Sequence, residues 1–264
     1  MSVAAGDYSD RLPGPMTLEE DLRSLARRLM PGTRITVMTG AGVSAASGVP
    51  TFRGPGGLWK DFRPEELATP EAFARNPKTV WEWYDWRRQL VARCRPNRAH
   101  EVLALWSRRF ESFALVTQNV DGLHERAGTA NVTRFHGSIW EVACSQMCRP
   151  SSWQDETVPF PRLPPPCPWC GGYLRPGVVW FGEAIPAAAL AGAERALDCD
   201  ICLIVGTSSV VYPAAGLASE ARSRGAFTVE INPEATPASG EVDLALPGRA
   251  EEILDALEKL IADS

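Results

Sequence analysis

Five short segments, ITVMTG, FALVTQN, ICLIVGTSS, FTVEIN and DLALPG, are apolar almost without interruption. Strands with one wet face alternate apolar and polar residues, so a continuous apolar run marks a strand covered on both faces, as in parallel sheets. Helical patterns separate most of the segments, as in Pro96 to Phe110 and Pro213 to Arg224, the latter with proline at a helix start. Strands alternating with helices predict an α/β fold built on a parallel, doubly wound sheet. A first helix is predicted from Thr17, where Glu20 completes a capping box and Leu18, Leu22, Leu25 and Leu29 repeat at helical spacing up to Pro31-Gly32.

Two stretches break this rhythm. Residues 54–95 are too long for a plain crossover and rich in Trp, which predicts a loop followed by a helical insert. Residues 137–177 carry two cysteine pairs and the proline-rich FPRLPPPCPWC, which predicts a small separate module. The remainder, 16–53, 96–136 and 178–262, is expected to form the sheet domain, with 1–15 a flexible tail.

The pairs are Cys144 with Cys148 and Cys167 with Cys170, a C-x3-C and a C-x2-C, and thiolates so spaced converge on zinc. Four thiolates leave no open coordination position, so this zinc-binding module is structural; free buried thiols or a damaged site are the alternatives. Cys199 and Cys202 run into a strand, where residues three apart face opposite ways, and are expected to pack in the core, as is Cys94. Seven cysteines cannot all pair with one another, which argues for a reducing compartment. Lys+Arg 27 against Asp+Glu 32 leaves a net charge of −5 with no basic run, so nucleic acid is not an expected partner. No apolar run is long enough to cross a bilayer and the start has no signal pattern. A cytoplasmic monomer without membrane contact is the expectation.

Polar residues gather at the ends of the predicted strands. Gly40-Ala41-Gly42-Val43-Ser44-Ala45 fits the dinucleotide pattern G-x-G-x-x-A, although a tight strand-to-helix turn also wants glycine. FALVTQNVD ends in Gln118, Asn119 and Asp121, ICLIVGTSS in Gly206, Thr207 and Ser208, and FTVEINPE in Asn232. Such residues serve turns anywhere, but in a parallel sheet these ends open on one crevice.

GAGVSAASGVPTFRG, TQNVDGLH, HGS, VVWFGE, GTSSVVYPAA and the Asn of EIN resemble, in this order, the motifs of sirtuins, the NAD-dependent protein lysine deacylases. The resemblance covers nearly the whole chain after the tail and implies a Rossmann-like domain with a smaller zinc-binding module. It implies that NAD is held by Gly40, Ala41, Gly42, Ala45, Thr51, Phe52, Arg53, Trp59, Gln118, Asn119, Val120, Asp121, Gly206, Thr207, Ser208, Asn232, Pro233, Glu234 and Ala250. Of the three histidines, His100 sits on a helical pattern and reads as structural, His124 is placed to brace the loop of Asp121, and His136 matches the family's catalytic base. With Asn119 and Asp121 near the nicotinamide, acyl transfer to the ribose yields nicotinamide, free lysine and O-acyl-ADP-ribose. The loop Pro50 to Lys60 is the expected lid, with Phe52 over the reactive carbon and Arg53 on phosphate or ribose. The first cysteine pair departs from the family's usual C-x2-C by one residue.

WEWYDWRRQL reads as a helix in which Tyr84 and Arg87, three apart, share a face. From the residues alone this is a half-buried helix whose arginine stacks on tryptophan. YDWR, however, resembles the Tyr-x-x-Arg pair of the sirtuin branch that removes succinyl, malonyl and glutaryl groups, a desuccinylase and demalonylase, with small Ala68 leaving room for the longer chain. The acyl-lysine peptide is then expected to add as a strand beside Val179, Phe181 and Tyr212. The alternatives are a deacetylase of broader range, an NAD glycohydrolase or ADP-ribosyltransferase, or a non-catalytic NAD sensor.

Overall fold

The structure, a computed structural model, describes residues 17–52, 57–58 and 63–263. With strands numbered along the chain, β1 (Ile35–Thr39), β2 (Phe113–Thr117), β3 (Val132–Arg134), β7 (Ile201–Val205), β8 (Phe227–Asn232) and β9 (Leu244–Pro247) form one six-stranded parallel sheet in the order β3-β2-β1-β7-β8-β9. Every residue of β1 and β7 is buried, which is why their sequences lack alternation. Period two survives in direction: Val37, Leu115 and Leu203 face a cluster under α1 (Leu18–Ala26), α5 (Arg98–Arg109) and α9 (Ala250–Ala262). Met38, Ile204 and Val116 face the opposite side, toward α7 (Ala187–Ala196) and α8 (Gly216–Ser223). The chain runs outward from β1 to β3 and returns to β7 on the other flank of β1. The strand order therefore reverses between β1 and β7, the place where such sheets open a crevice.

A second sheet of three antiparallel strands, β4 (Gly137–Cys144), β5 (Trp153–Gln154) and β6 (Leu174–Val178), has the order β5-β4-β6. It shares an apolar cluster with α4 (Pro77–Arg93), including Trp81, Val142 and Leu174, while α2 (Pro64–Leu67) and α3 (Pro70–Arg75) precede α4. The short α6 (Leu123–Arg126) follows β2. No helix among the described residues is long and apolar enough to cross a membrane.

Several elements differ in extent from expectation. α1 has its Thr17/Glu20 capping box but ends at Ala26, and Leu29 reaches the core through a following turn, its N–H donating to Leu25 O. α5 begins after Asn97, whose side chain caps it, and not at Pro96. α8 begins at Gly216, so Pro213 does not start it; Pro213 is spent on a turn at the crevice, where Gly216 N donates back to its carbonyl at 3.0 Å. Cys199 precedes β7 and escapes its alternation, so it shares one buried cluster with Cys202 and does not face away from it.

Candidate active site

The loops after β1 and β7 interlock at the strand-order reversal. Gly42 N donates to Gly206 O at 2.7 Å, and a Cβ on Gly42 would stand 2.7 Å from Gly206 Cα. A Cβ on Gly40 would stand 2.7 Å from Thr207 Cα, and Gly206 itself has φ +60, which favours glycine. The glycines of the G-x-G-x-x-A stretch are thus first demanded by backbone meeting backbone. The stretch opens a 3-10 helix, Ala41–Ser47, directly after β1 at the crevice.

Above these loops lies a cavity of about 680 Å³. Its wall gathers Gly40, Ala41, Gly42, Ala45, Thr51, Phe52, Gln118, Asn119, Val120, His136, Gly206, Thr207, Ser208, Asn232, Pro233, Glu234 and Ala250, together with Ala68, Tyr84, Arg87, Val179, Phe181 and Tyr212. Arg53 and Trp59, and with them most of the expected lid, fall outside the described residues. Asp121 is the exception: it is not on the wall, because both carboxylate oxygens are turned inward, accepting from Ser44 Oγ at 2.8 Å and Leu123 N at 2.9 Å. Burial raises its pKa, offset by those bonds. Ser44 also accepts from Asn119 Nδ2 at 3.2 Å, and the same amide donates to Gly40 O at 3.0 Å. Asp121 therefore acts on Asn119 through Ser44, a link that residue spacing could not reveal. Asn232 Nδ2 donates to Thr207 O at 2.8 Å and ties the β8 loop to the β7 loop. Trp83, Trp180, Glu183 and Arg249 also line the cavity; Trp83 lies within WEWYDWRRQL and Trp180 and Glu183 within VVWFGE, but the reading of those segments did not single them out, and Arg249 comes from the loop before α9.

His136 stands at the junction of the two sheets. Its Nδ1 lies 3.2 Å from Gln118 O, an atom that can only accept, so Nδ1 carries the proton and Nε2 keeps its lone pair. Burial lowers its pKa and the Gln118 bond partly restores it, leaving a neutral imidazole at pH 7. The other two histidines are buried braces. His100 Nδ1 accepts from Asn97 N at 3.2 Å, and His124 Nε2 meets Thr39 Oγ1 at 2.9 Å. Burial pushes both down to about 3.

The opposite end of the cavity holds Tyr84 and Arg87. Tyr84 Oη accepts from Trp180 Nε1 at 3.0 Å, so its own hydroxyl proton is left to donate, and burial raises its pKa to about 12. The Arg87 guanidinium lies 4.7 Å from the Phe52 ring centroid and 4.9 Å from that of Trp83, and only 6% of the residue is exposed. No acceptor among the described residues receives a hydrogen bond from it. Burial lowers its pKa, with Tyr84 and Asp121 working in the other direction. Ala68 closes this end, its carbonyl receiving Phe181 N at 2.9 Å.

At the far end of the three-stranded sheet, the sulfurs of Cys144, Cys148, Cys167 and Cys170 all lie within 4.8 Å of one another, with Cys144–Cys170 and Cys148–Cys167 at 3.5 Å. Sulfurs about 2.3 Å from one tetrahedral zinc would be roughly 3.8 Å apart, so the donor set fits zinc with all four positions filled. The extra residue of the C-x3-C is taken up by Met147, which adopts φ 50 and points outward, 83% exposed.

Residues 40–213 match the model of the Sir2 family. A protein named NAD-dependent protein deacylase from Aquifex aeolicus is 52% identical over 222 residues, covering 84% of this chain and 92% of its own length. Among solved structures, a Sir2 homologue in complex with NAD has a TM-score of 0.84 at 44% identity, covering 91% of this chain and 93% of the other. A second, bound to a myristoylated histone peptide, has a TM-score of 0.74 at 31% identity, covering 93% and 98%.

Proposed function

The chain belongs to the Sir2 family, and from that premise we propose that this NAD-dependent protein deacylase has an acyl channel fitted to a lysine modification ending in a carboxylate. Succinyl, malonyl and glutaryl lysine are the members of that class. The observation that carries the reading is Arg87: a buried cation on the cavity wall, held between two aromatic rings, with no acceptor among the described residues. A carboxylate would take its forked donors and the Tyr84 hydroxyl together. A methyl or alkyl terminus would leave them desolvated and unmatched, which a site built on hydrogen bonds rejects strongly.

NAD, the cosubstrate, supplies an electrophilic ribose carbon and nicotinamide as leaving group. The loops at Gly40–Ala45, Gly206–Ser208 and Asn232–Glu234, with Ala250, would hold it along the crevice. Asn119, fixed by Gly40 and Ser44, presents an oriented amide at the reacting end. Asp121 contributes by orienting Ser44. His136 Nε2 is the atom placed to take a proton from a ribose hydroxyl, and its lowered pKa keeps it ready at neutral pH. Phe52, on the cavity wall, would help to exclude water from the reacting end.

The test is a comparison of succinyl-, acetyl- and myristoyl-peptides with NAD, following O-acyl-ADP-ribose by mass spectrometry. The parent should favour the succinyl peptide, and Arg87→Met should cut that reaction by roughly two orders of magnitude while sparing the acetyl one. Equal losses on all three peptides would remove Arg87 from acyl selection.

A further inference from the structure

α4 carries two kinds of residue on neighbouring faces. Tyr84 and Arg87 reach the cavity, whereas Trp81, Asp85 and Arg88, at the spacing i, i+4, i+7, form a stripe about a quarter of the way round the helix. Each member of the stripe bonds to the three-stranded sheet or its loops. Trp81 Nε1 donates to Leu174 O on β6 at 2.6 Å. Asp85 Oδ1 accepts from Phe160 N at 2.9 Å. Arg88, 1% exposed, donates to Ile139 O on β4 at 3.0 Å and to Asp155 Oδ1 just beyond β5 at 2.9 Å, and also to the Asp155 carbonyl. Its guanidinium lies 4.7 Å from the Phe160 ring centroid, and Trp81 packs edge-on against the same ring at 5.1 Å.

The same sheet runs from the cysteine cluster to the cavity. β4 begins at Gly137, directly after His136, and β6 ends at Val178, directly before Val179, whose N–H donates to His136 O at 3.0 Å. The wall continues to Trp180, which bonds Tyr84. The position of Arg87 relative to His136 is thus set through two connections to one sheet, the wall residues at its cavity end and the α4 stripe along its length.

We infer that Trp81, Asp85 and Arg88 are positioning residues that bolt α4 to the cysteine-bearing sheet and so set the distance between the acyl-reading pair and the reacting end. This rests on the acyl reading above. A buried arginine spread over two carbonyls and a carboxylate has few other places to go, so its loss frees the helix to shift along the sheet, and misplacement on the scale of an ångström is costly in a site of this kind.

The experiment uses the full chain with zinc bound. Arg88→Met and, as a milder cut, Asp85→Ala should raise KM for the succinyl peptide by about tenfold while KM for NAD and turnover of the acetyl peptide stay within about twofold. Arg88→Lys should recover part of the loss. Amide exchange across residues 83–90 should quicken in both variants and stay unchanged in β1 and β7. Unchanged exchange across α4, or equal changes in every kinetic constant, would overturn the inference. A parent enzyme without preference for the succinyl peptide would instead sink the acyl reading, while the exchange result would still decide whether the stripe holds the helix.

Discussion

The two walls of the cavity are built on opposite principles. The nucleotide-side wall consists of loops leaving a parallel sheet, pressed together so closely that Gly42 and Gly206 have no room for a side chain. The acyl-side wall consists of a helix tied to a small antiparallel sheet by Trp81, Asp85 and Arg88, and that sheet is closed at its far end by four cysteines. The first wall is held chiefly by backbone contact and apolar burial, with Asn119 and Asn232 tying its loops, and the second chiefly by side-chain bonds to a sheet whose four cysteines fit a metal. The first tolerates no added atom; the second depends on partners that single substitutions or a chelator can remove.

The sharpest way to break the comparison is on the nucleotide side. Gly206→Ala brings a Cβ to 2.5 Å from Val43 N at a residue with φ +60. The expected outcome is a loss of NAD affinity of about a hundredfold, from strain plus overpacking of roughly 3 kcal/mol, with zinc content unchanged. Calorimetry with NAD and metal analysis check this; unaltered affinity would mean that the loops can part without harm.

A smaller effect is expected on the other side. Chelation of zinc, or Cys167→Ser, should loosen residues 137–178 to proteolysis and lower succinyl-peptide turnover by about tenfold, while NAD affinity moves less than about threefold. If NAD binding fell in step with turnover, the two walls would not be separable.

A third effect is graded with pH and acts on stability, not on a substrate. His100 and His124 support the nucleotide side and have folded pKa values of about 3, well below the ordinary 6.5. The unfolded chain therefore binds protons that the folded one refuses. Their stabilising contribution is complete above about pH 6.5 and is lost as pH falls from there toward 3. The slope is roughly 1 kcal/mol per pH unit for each histidine. Asp121, with its raised pKa, works in the opposite sense. Urea midpoints should hold level from pH 8 to 7 and then decline, and a level line down to pH 5 would mean that protons reach these imidazoles in the folded state. All three histidines of the chain lie outside 137–178, so the acyl-side sheet should not share this slope.

Legibility in the sequence follows the same division. β1, β2, β7 and β8 were visible because strands largely buried on both faces write themselves as apolar runs, and the mostly exposed edge strand β9 only because its short sequence is apolar, whereas β3, three half-buried residues in NVTRFH, offers no run at all. The Gly40/Gly42 spacing announced a close backbone approach but not that Gly206 is what approaches. Tyr84 and Arg87 could be paired from helical spacing. Arg88, one residue on, could not be assigned, because its acceptors at Ile139 and Asp155 lie on strands and loops far along the chain. The inward turn of Asp121 could not be read for a related reason: adjacency to Asn119 says nothing about which way a carboxylate turns after a strand ends.

The outward turn at Met147 has a practical side. The surplus residue forms a blister that is largely exposed, so a dye or spin label grafted at its tip would sit beside the sulfur cage and report on metal loss without intruding on either substrate.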